Sequence, residues 1–308
     1  MKLKRGIQIS LAIVFLMIAI VLGYAVYLYL NVKSAANDIY EPREPVKEVS
    51  IVDNRGGGRF PIDLENEEPF NALILGVDTR ANDRGRSDTM IVLSVNPAQK
   101  SVLMFNIPRD TRTSIVGRGT EDKINHAYAF GGVNMSVQTV EQFLGVPMDY
   151  YLKVDMEGFA RVIDLVGGVD VENPFAFEYE GYQFDKGTIH LDGASALGFS
   201  RMRYDDPKGD LGRNDRQREI IKQVLKSTAQ VSTVFQLESL LGEVSEHVKT
   251  DVSFDEMKSM LTKYRNVLDH VESVEIKGTG KKIDGVYYYI VEQSEKHRIH
   301  QLIKQHSG

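Results

Sequence analysis

Apolar positions are distributed unevenly along this chain of 308 residues. Ile7 to Leu30 runs without a single charge, and as a helix it would rise about 36 Å, enough to cross a hydrocarbon core of about 30 Å. The stretch 31–69 follows, broken by Pro42, Pro45, Pro61 and Pro69 and loosened at Gly56-Gly57-Gly58, a composition that buries little. Patterned sequence then resumes. Ala72–Val77, Thr89–Val95 and Ser101–Ile107 are short apolar runs of the kind found in buried strands, and the turn Asn96–Lys100 makes a hairpin of the last two. Helical stripes are expected over Met135–Leu144, ended by Gly145, and over Phe159–Val166, closed by Gly167-Gly168. Tyr150–Val154 and Val169–Val171 read as strands.

The second half continues the alternation. A helix begins near Asp215, and Leu237 to Val248 carries another stripe. Ser253 with Glu256 forms a capping box ahead of Met257, Met260, Leu261 and Tyr264. Val274–Ile276 and Val286–Ile290 are late strands, and a last helix spans Glu295–Gln305. Strands alternating with helices predict an α/β layered sandwich, with a central mixed sheet, helices on both faces and one N-terminal transmembrane helix ahead of it.

Charge then orients the chain. Lys2, Lys4 and Arg5 precede the apolar run, and only Lys33 lies between it and Asp38. This bias predicts a single-pass type II protein with residues 1–6 in the cytoplasm, an uncleaved anchor over 7–30, a stalk over 31–69 and a catalytic domain over 70–308 outside the cell membrane. The net charge of −6 argues against a nucleic-acid partner. There is no cysteine, which excludes disulfides and thiolate metal sites.

Candidate chemistry concentrates between Phe199 and Arg218, where Arg201, Arg203, Arg213, Arg216 and Arg218 fall within twenty residues. The period-2 spacing of Arg201 and Arg203 would put both on one face of a strand. Arg213, Arg216 and Gln217 would share one face of a helix, and Asp205–Asp210 between them is turn chemistry. Guanidinium groups fork onto phosphate oxygens, so the run predicts a phosphate or diphosphate pocket, a solvated charged surface being the plainer alternative. Three other segments add to it. Asp78 and Asp88 stand where two strands end and begin; they either cap turns or hold Mg²⁺ together with substrate oxygens. Pro108 stops a strand and delivers Arg109. Lys123 offers a point charge, while His126 reads as structural. Phe175, Phe177 and Tyr179 could line an apolar slot, though ordinary sheet packing explains the same spacing.

GVDTR, RSDTM, IPRDT, DKINHAYAFGG and FSRMRYDDPKGDLGRNDRQR, in this order behind one anchor, resemble the LytR-CpsA-Psr family over about residues 70–305. The resemblance implies an extracytoplasmic Mg²⁺-dependent phosphotransferase. It would move wall teichoic acid or a similar glycopolymer from undecaprenyl diphosphate to peptidoglycan, at the C6 hydroxyl of N-acetylmuramic acid. By the same resemblance, Asp78 and Asp88 fall on metal-binding positions, and Arg86, Arg109, Arg201, Arg203, Arg213 and Gln217 on diphosphate-contacting ones. Lys123 and Asp210 fall on further motif positions, with Asp210 a candidate base. A lipid-diphosphate hydrolase, or a surface module that binds anionic polymer without turnover, would use many of the same residues.

Overall fold

The computed structural model describes residues 22–44, 62–80, 83–229 and 242–307. A helix, α1, covers residues 22–39. Among the described residues no helix is long and apolar enough to cross a membrane; most of the expected anchor, 7–21, lies outside them. Part of the expected stalk is ordered here. Val32, Ala35, Ala36 and Ile39 are buried against Phe254, and the Arg43 side chain donates to the carbonyls of Met148 (3.0 Å) and Asp149 (2.6 Å) and pairs with Asp251. Packed structure therefore begins well before Phe70.

Three long antiparallel strands follow: β1 (Phe70–Arg80), β2 (Asp83–Asn96) and β3 (Ser101–Asn106). The predicted hairpin at Asn96–Lys100 is present, and every residue of β3 is buried, as its unbroken apolar run requires. The hairpin β4 (Arg112–Ile115)–β5 (Thr120–Lys123) precedes α2 (His126–Leu144). This helix starts earlier than the apolar stripe suggests and breaks at Gly131-Gly132, where Gly132 takes φ 65°. Next come β6 (Tyr150–Asp155), α3 (Met156–Leu165) and a small layer of short strands, β7 (Val169–Asn173), β8 (Phe177–Tyr179), β9 (Tyr182–Phe184) and β10 (Gly187–Leu191).

Helices α4 (Gly193–Arg201) and α5 (Asp210–Ala229) carry the arginine run. The chain ends with β11 (Val248–Thr250), α6 (Phe254–Lys263), β12 (His270–Glu275), the hairpin β13 (Thr279–Ile283)–β14 (Val286–Ile290) and α7 (Gln293–Ser307). The Ser253–Glu256 capping box forms as predicted. The stripe at Leu237–Leu241 lies outside the described residues.

The central sheet has the order β11-β6-β1-β2-β3-β12, with β1/β6 and β3/β12 parallel and the other pairs antiparallel. It is the predicted mixed sheet. One face packs on α2 and α7 through Leu73, Leu75, Phe105, Val140 and Ile299. The other packs on α5 and α6 through Ile74, Ile91, Met104, Ile221 and Met260. A third cluster (Ile163, Val171, Phe184, Phe199, Ile220) joins the small strand layer to α3, α4 and α5, and it fixes the arginine-bearing helices beside the sheet.

Candidate active site

Two features bring the acidic residues together. β1 and β2 are in register up to Gly76↔Thr89, but Val77 pairs with Ser87, so Asp88 is the extra residue of a bulge. Bulges re-aim side chains, and here Asp78 and Asp88 both line a single cavity of about 310 Å³. Gly76 allows the close approach: a Cβ there would lie 2.8 Å from that of Thr89.

The basic residues arrive from three other elements. Pro108 ends β3, and Arg109 beyond it donates from Nη1 to Asp88 Oδ2 at 2.8 Å. Asn125 Nδ2 holds the other oxygen at 2.9 Å. Arg201 and Arg203 do not lie on a strand. Arg201 is the last residue of α4 and Met202 its cap, so period-2 alternation fails, and a helix end followed by an extended residue turns both arginines to the cavity. Helix α5 starts at Asp210 rather than Asp215 and presents Arg213 and Gln217 to the same space.

Arg216 departs from expectation. Its Nε donates to the Phe199 carbonyl at 2.9 Å, and its Nη atoms hold Asp206 and the Met202 carbonyl. Arg218 likewise turns inward to Asn106 and Asp215. Both are structural. Asp210 does not line the cavity; Oδ1 lies 3.0 Å from Arg213 Nη2 and 4.0 Å from Arg203 Nη1. Lys123 pairs with Asp110 at 2.8 Å, and Asp110 in turn lies 4.0 Å from Arg109 Nε. Arg86 is exposed directly across the strand pair from Asp78, outside the cavity lining. His126 is bonded to Asp122 at 2.9 Å, the structural role expected of it.

The electrostatics of the cavity favour an anion. Arg109 Nε, Arg213 Nε and Nη2, and Gln217 Oε1 are buried without a hydrogen-bond partner; the Arg213–Asp210 approach is close enough for an ion pair but out of line for a hydrogen bond. Burial pushes the Arg213 guanidinium below the usual arginine value; Asp210 opposes this, and the Arg109 and Arg203 charges reinforce it. For Arg109, burial is outweighed by the carboxylates of Asp88, Asp210 and Asp110. Buried donors without partners are costly in a folded protein, and the guanidinium charges of Arg109 and Arg213 on the cavity lining suit phosphate.

The rest of the lining is largely apolar and includes Val154, Met156, Phe159, Tyr179, Leu197 and Ile221. Tyr179 therefore faces the cavity, whereas Phe177 packs on Phe184 (4.8 Å between ring centroids) and Phe199 (5.6 Å). Asn125, Met156 and Tyr204 are site residues that sequence pattern does not single out. Asn125 and Tyr204 leave a signal, by sitting inside the DKINHAYAFGG and FSRMRYDDPKGDLGRNDRQR segments; Met156 leaves none. Among the described residues no three acidic, histidine or cysteine side chains cluster to hold a metal alone. Two carboxylates on one cavity do suit Mg²⁺, which takes one or two carboxylates and completes its shell with substrate phosphates and water.

Comparison with known proteins places this arrangement. Residues 26–305 match the LytR_cpsA_psr family. This chain belongs to the LytR-CpsA-Psr family. A relative from Halalkalibacterium halodurans, named polyisoprenyl-teichoic acid–peptidoglycan teichoic acid transferase TagU, is 45% identical over 305 residues, covering 98% of each chain. The crystal structure of Bacillus subtilis TagU superposes with a TM-score of 0.66 at 44% identity, covering 78% of this chain and 97% of that one. A structure of TagT bound to LIIa-WTA superposes with a TM-score of 0.69 at 27% identity, over 80% of this chain and 93% of that one. The LytR-CpsA-Psr motifs read from the sequence thus lie at the ends of β1–β3, at the β5–α2 junction and along α4, α5 and the turn between them.

Proposed function

We propose that this chain is a transferase that moves an anionic glycopolymer of the wall teichoic acid type from undecaprenyl diphosphate onto peptidoglycan. The observation that carries the reading is one cavity with two chemistries. Arg109, Arg201, Arg203, Arg213 and Gln217 line it together with Phe159, Tyr179 and Leu197. A lipid diphosphate has the same two halves. The names of the full-length relatives supply the substrate class.

In this reading the guanidinium groups grip the diphosphate and the apolar wall takes the first prenyl units. The acceptor is the C6 hydroxyl of N-acetylmuramic acid. Its oxygen forms a bond to the sugar-linked phosphorus, the bridging P–O bond breaks, and prenyl phosphate departs. The hydroxyl proton passes to water. Arg109 and Arg213, whose side chains line the cavity, stabilise the charge that grows on the phosphoryl oxygens. Asp210 holds Arg203 and Arg213 in position rather than reaching the substrate. Arg86, paired across the strands with Asp78, would add positive charge near that carboxylate. Lys123 sets Asp110 and, through it, Arg109. Asp78 and Asp88 would hold Mg²⁺, which when bound supplies further positive charge at the diphosphate. The anchor over 7–30, with Lys2, Lys4 and Arg5 before it, would keep the domain outside the membrane and within reach of its lipid-linked donor.

The test uses the full chain in detergent with a short lipid-diphosphate-linked glycan, Mg²⁺ and peptidoglycan oligomers. A glycan-phosphate–peptidoglycan product, lost in Arg203→Ala and Asp88→Ala and on chelation, is the expected result. Free glycan phosphate released at the same rate without acceptor would replace the transferase with a hydrolase. Tight binding without turnover would leave a binding module.

A further inference from the structure

The β13–β14 hairpin lies outside the cavity lining yet is fastened to it. Tyr289 N–H donates to the Asp110 carbonyl at 2.8 Å, and Thr111 bridges to Tyr289, so the hairpin is fixed to the loop that delivers Arg109. Its turn, Asp284-Gly285, takes φ 50° and 82°, the left-handed pair that a tight two-residue turn requires. Near the tip Tyr287 is 45% exposed and Val286 44%.

The Tyr287 ring lies against Gly280. A Cβ on Gly280 would lie 2.7 Å from its hydroxyl and 2.8 Å from its ring, so the bare glycine lets the ring lie across the neighbouring strand. Lys282, also exposed, is its direct cross-strand partner. Partial burial, and then the carboxylates of Asp110 and Asp210, raise the Tyr287 hydroxyl above its usual pKa. Tyr287 is two residues from Tyr289, whose N–H bonds the Asp110 carbonyl, so the hairpin sets it near the part of the site that Asp110 and Asp210 brace through Arg109 and Arg213. The apolar wall that suits the prenyl chain is formed by other elements, α3, α4 and the β8 end.

A half-exposed aromatic ring beside a cation, on a hairpin tied to a phosphate site, has the chemistry for a sugar that carries carboxylates. The C–H face of a pyranose stacks on the ring, and the ammonium pairs with the acid. We propose that Tyr287 and Lys282 form the platform for the acceptor, a glycan strand with acidic substituents, and point its hydroxyl toward the phosphorus held at Arg109. This inference rests on the transferase reading above. Tyr287 is then a positioning residue, outside the bond-making step.

The experiment varies acceptor concentration at saturating lipid donor, with the full chain in detergent. Tyr287→Ala should raise the acceptor KM about tenfold, the loss of about one well-stacked ring, with a much smaller change in kcat. Tyr287→Phe, which keeps the ring, should return KM toward wild type. Gly280→Val should reproduce the alanine result by pushing the ring aside, and Lys282→Glu, a surface change that leaves the hairpin folded, should raise KM most at low salt. If the wild type forms product and neither Tyr287→Ala nor Lys282→Glu moves the acceptor KM, the platform is wrong and the transferase stands. The platform also falls, with the transferase intact, if these variants weaken donor binding instead. If the wild type forms no peptidoglycan-linked product, both readings fall together.

Discussion

Arg213 and Arg216 are three residues apart on α5 and almost equally buried, at 8% and 5% exposure, yet they are in opposite conditions. Arg216 is fully engaged: Phe199 and Met202 carbonyls and the buried Asp206 carboxylate accept from its guanidinium. Arg213 keeps Nε and Nη2 without a hydrogen-bond partner, and burial opposes its charge. One arginine closes the structure of the 202–209 turn. The other is held in a cavity at a cost to the fold, as expected of a group whose partner is a substrate. Residue type and burial are the same; only hydrogen-bond satisfaction separates scaffold from site.

The sharpest way to break this comparison is to truncate the satisfied arginine. Arg216→Met would leave Asp206 buried and unpaired and would strip two carbonyls of their donor. Removing one partner of a buried pair costs about 3–5 kcal/mol. Thermal or urea unfolding should therefore show a large loss of stability, with activity falling only because the folded fraction falls. An unchanged melting temperature would show that Arg216 is no scaffold.

Arg213→Ala should do the reverse. It deletes a buried charge whose ion-pair partner, Asp210, is about a third exposed, so the loss of stability should be far smaller than for Arg216→Met, while turnover of the lipid donor drops by about 10²–10³, the usual result of losing one preorganised donor to a phosphoryl oxygen. Unfolding curves and single-turnover rates on the same preparation separate the two effects. A strongly destabilised Arg213→Ala with near-normal specific activity would erase the distinction.

Part of this was legible in the sequence. At about 100° per residue, Gln217 lies about 40° from Arg213 on the helix surface, and both do share the cavity. Arg216 lies about 60° to the other side, and that offset is enough to aim it at the end of α4. Which side would be covered depends on how the 202–209 turn folds back, a tertiary fact that spacing does not contain. The order of strands and helices could be read because the apolar runs of β1–β3 and the Ser253–Glu256 box are local signals. The bulge at Asp88 could not, because a bulge is a relation between two strands. Arg201 and Arg203 misled for a similar reason: alternation mimics a strand, but Asp192 caps a helix that ends on Arg201.

A smaller change probes the same contrast without deleting either charge. A Cβ on Gly212 would run into the Asp206 carboxylate, the partner of Arg216, while leaving the cavity side of α5 alone. Gly212→Ala should cost about 1–3 kcal/mol, as overpacking does, despite the better helix propensity of alanine. Differential scanning calorimetry would show it. If Gly212→Ala is instead stabilising, the Asp206–Arg216 contact is slack and carries little of the fold.

The mildest effect concerns a satisfied group far from the cavity. His306, near the end of α7, is bonded through Nε2 to Ser101 Oγ at 2.9 Å and through Nδ1 to Ser94 Oγ at 3.1 Å. Burial lowers its pKa below 6.5, with only Glu272 opposing. The unfolded chain thus takes up the proton first as pH falls, and the folded state loses stability on acidification below about 6.5. Above that value both states are neutral and the contribution is complete. Urea midpoints measured between pH 7.5 and 5 should fall more steeply for the wild type than for His306→Gln, which keeps hydrogen-bonding capacity but cannot titrate. Parallel slopes would mean that protonated His306 is tolerated where it stands. A satisfied polar group then costs little even when charged, so the unmet donors of Arg213, rather than burial as such, would mark the site.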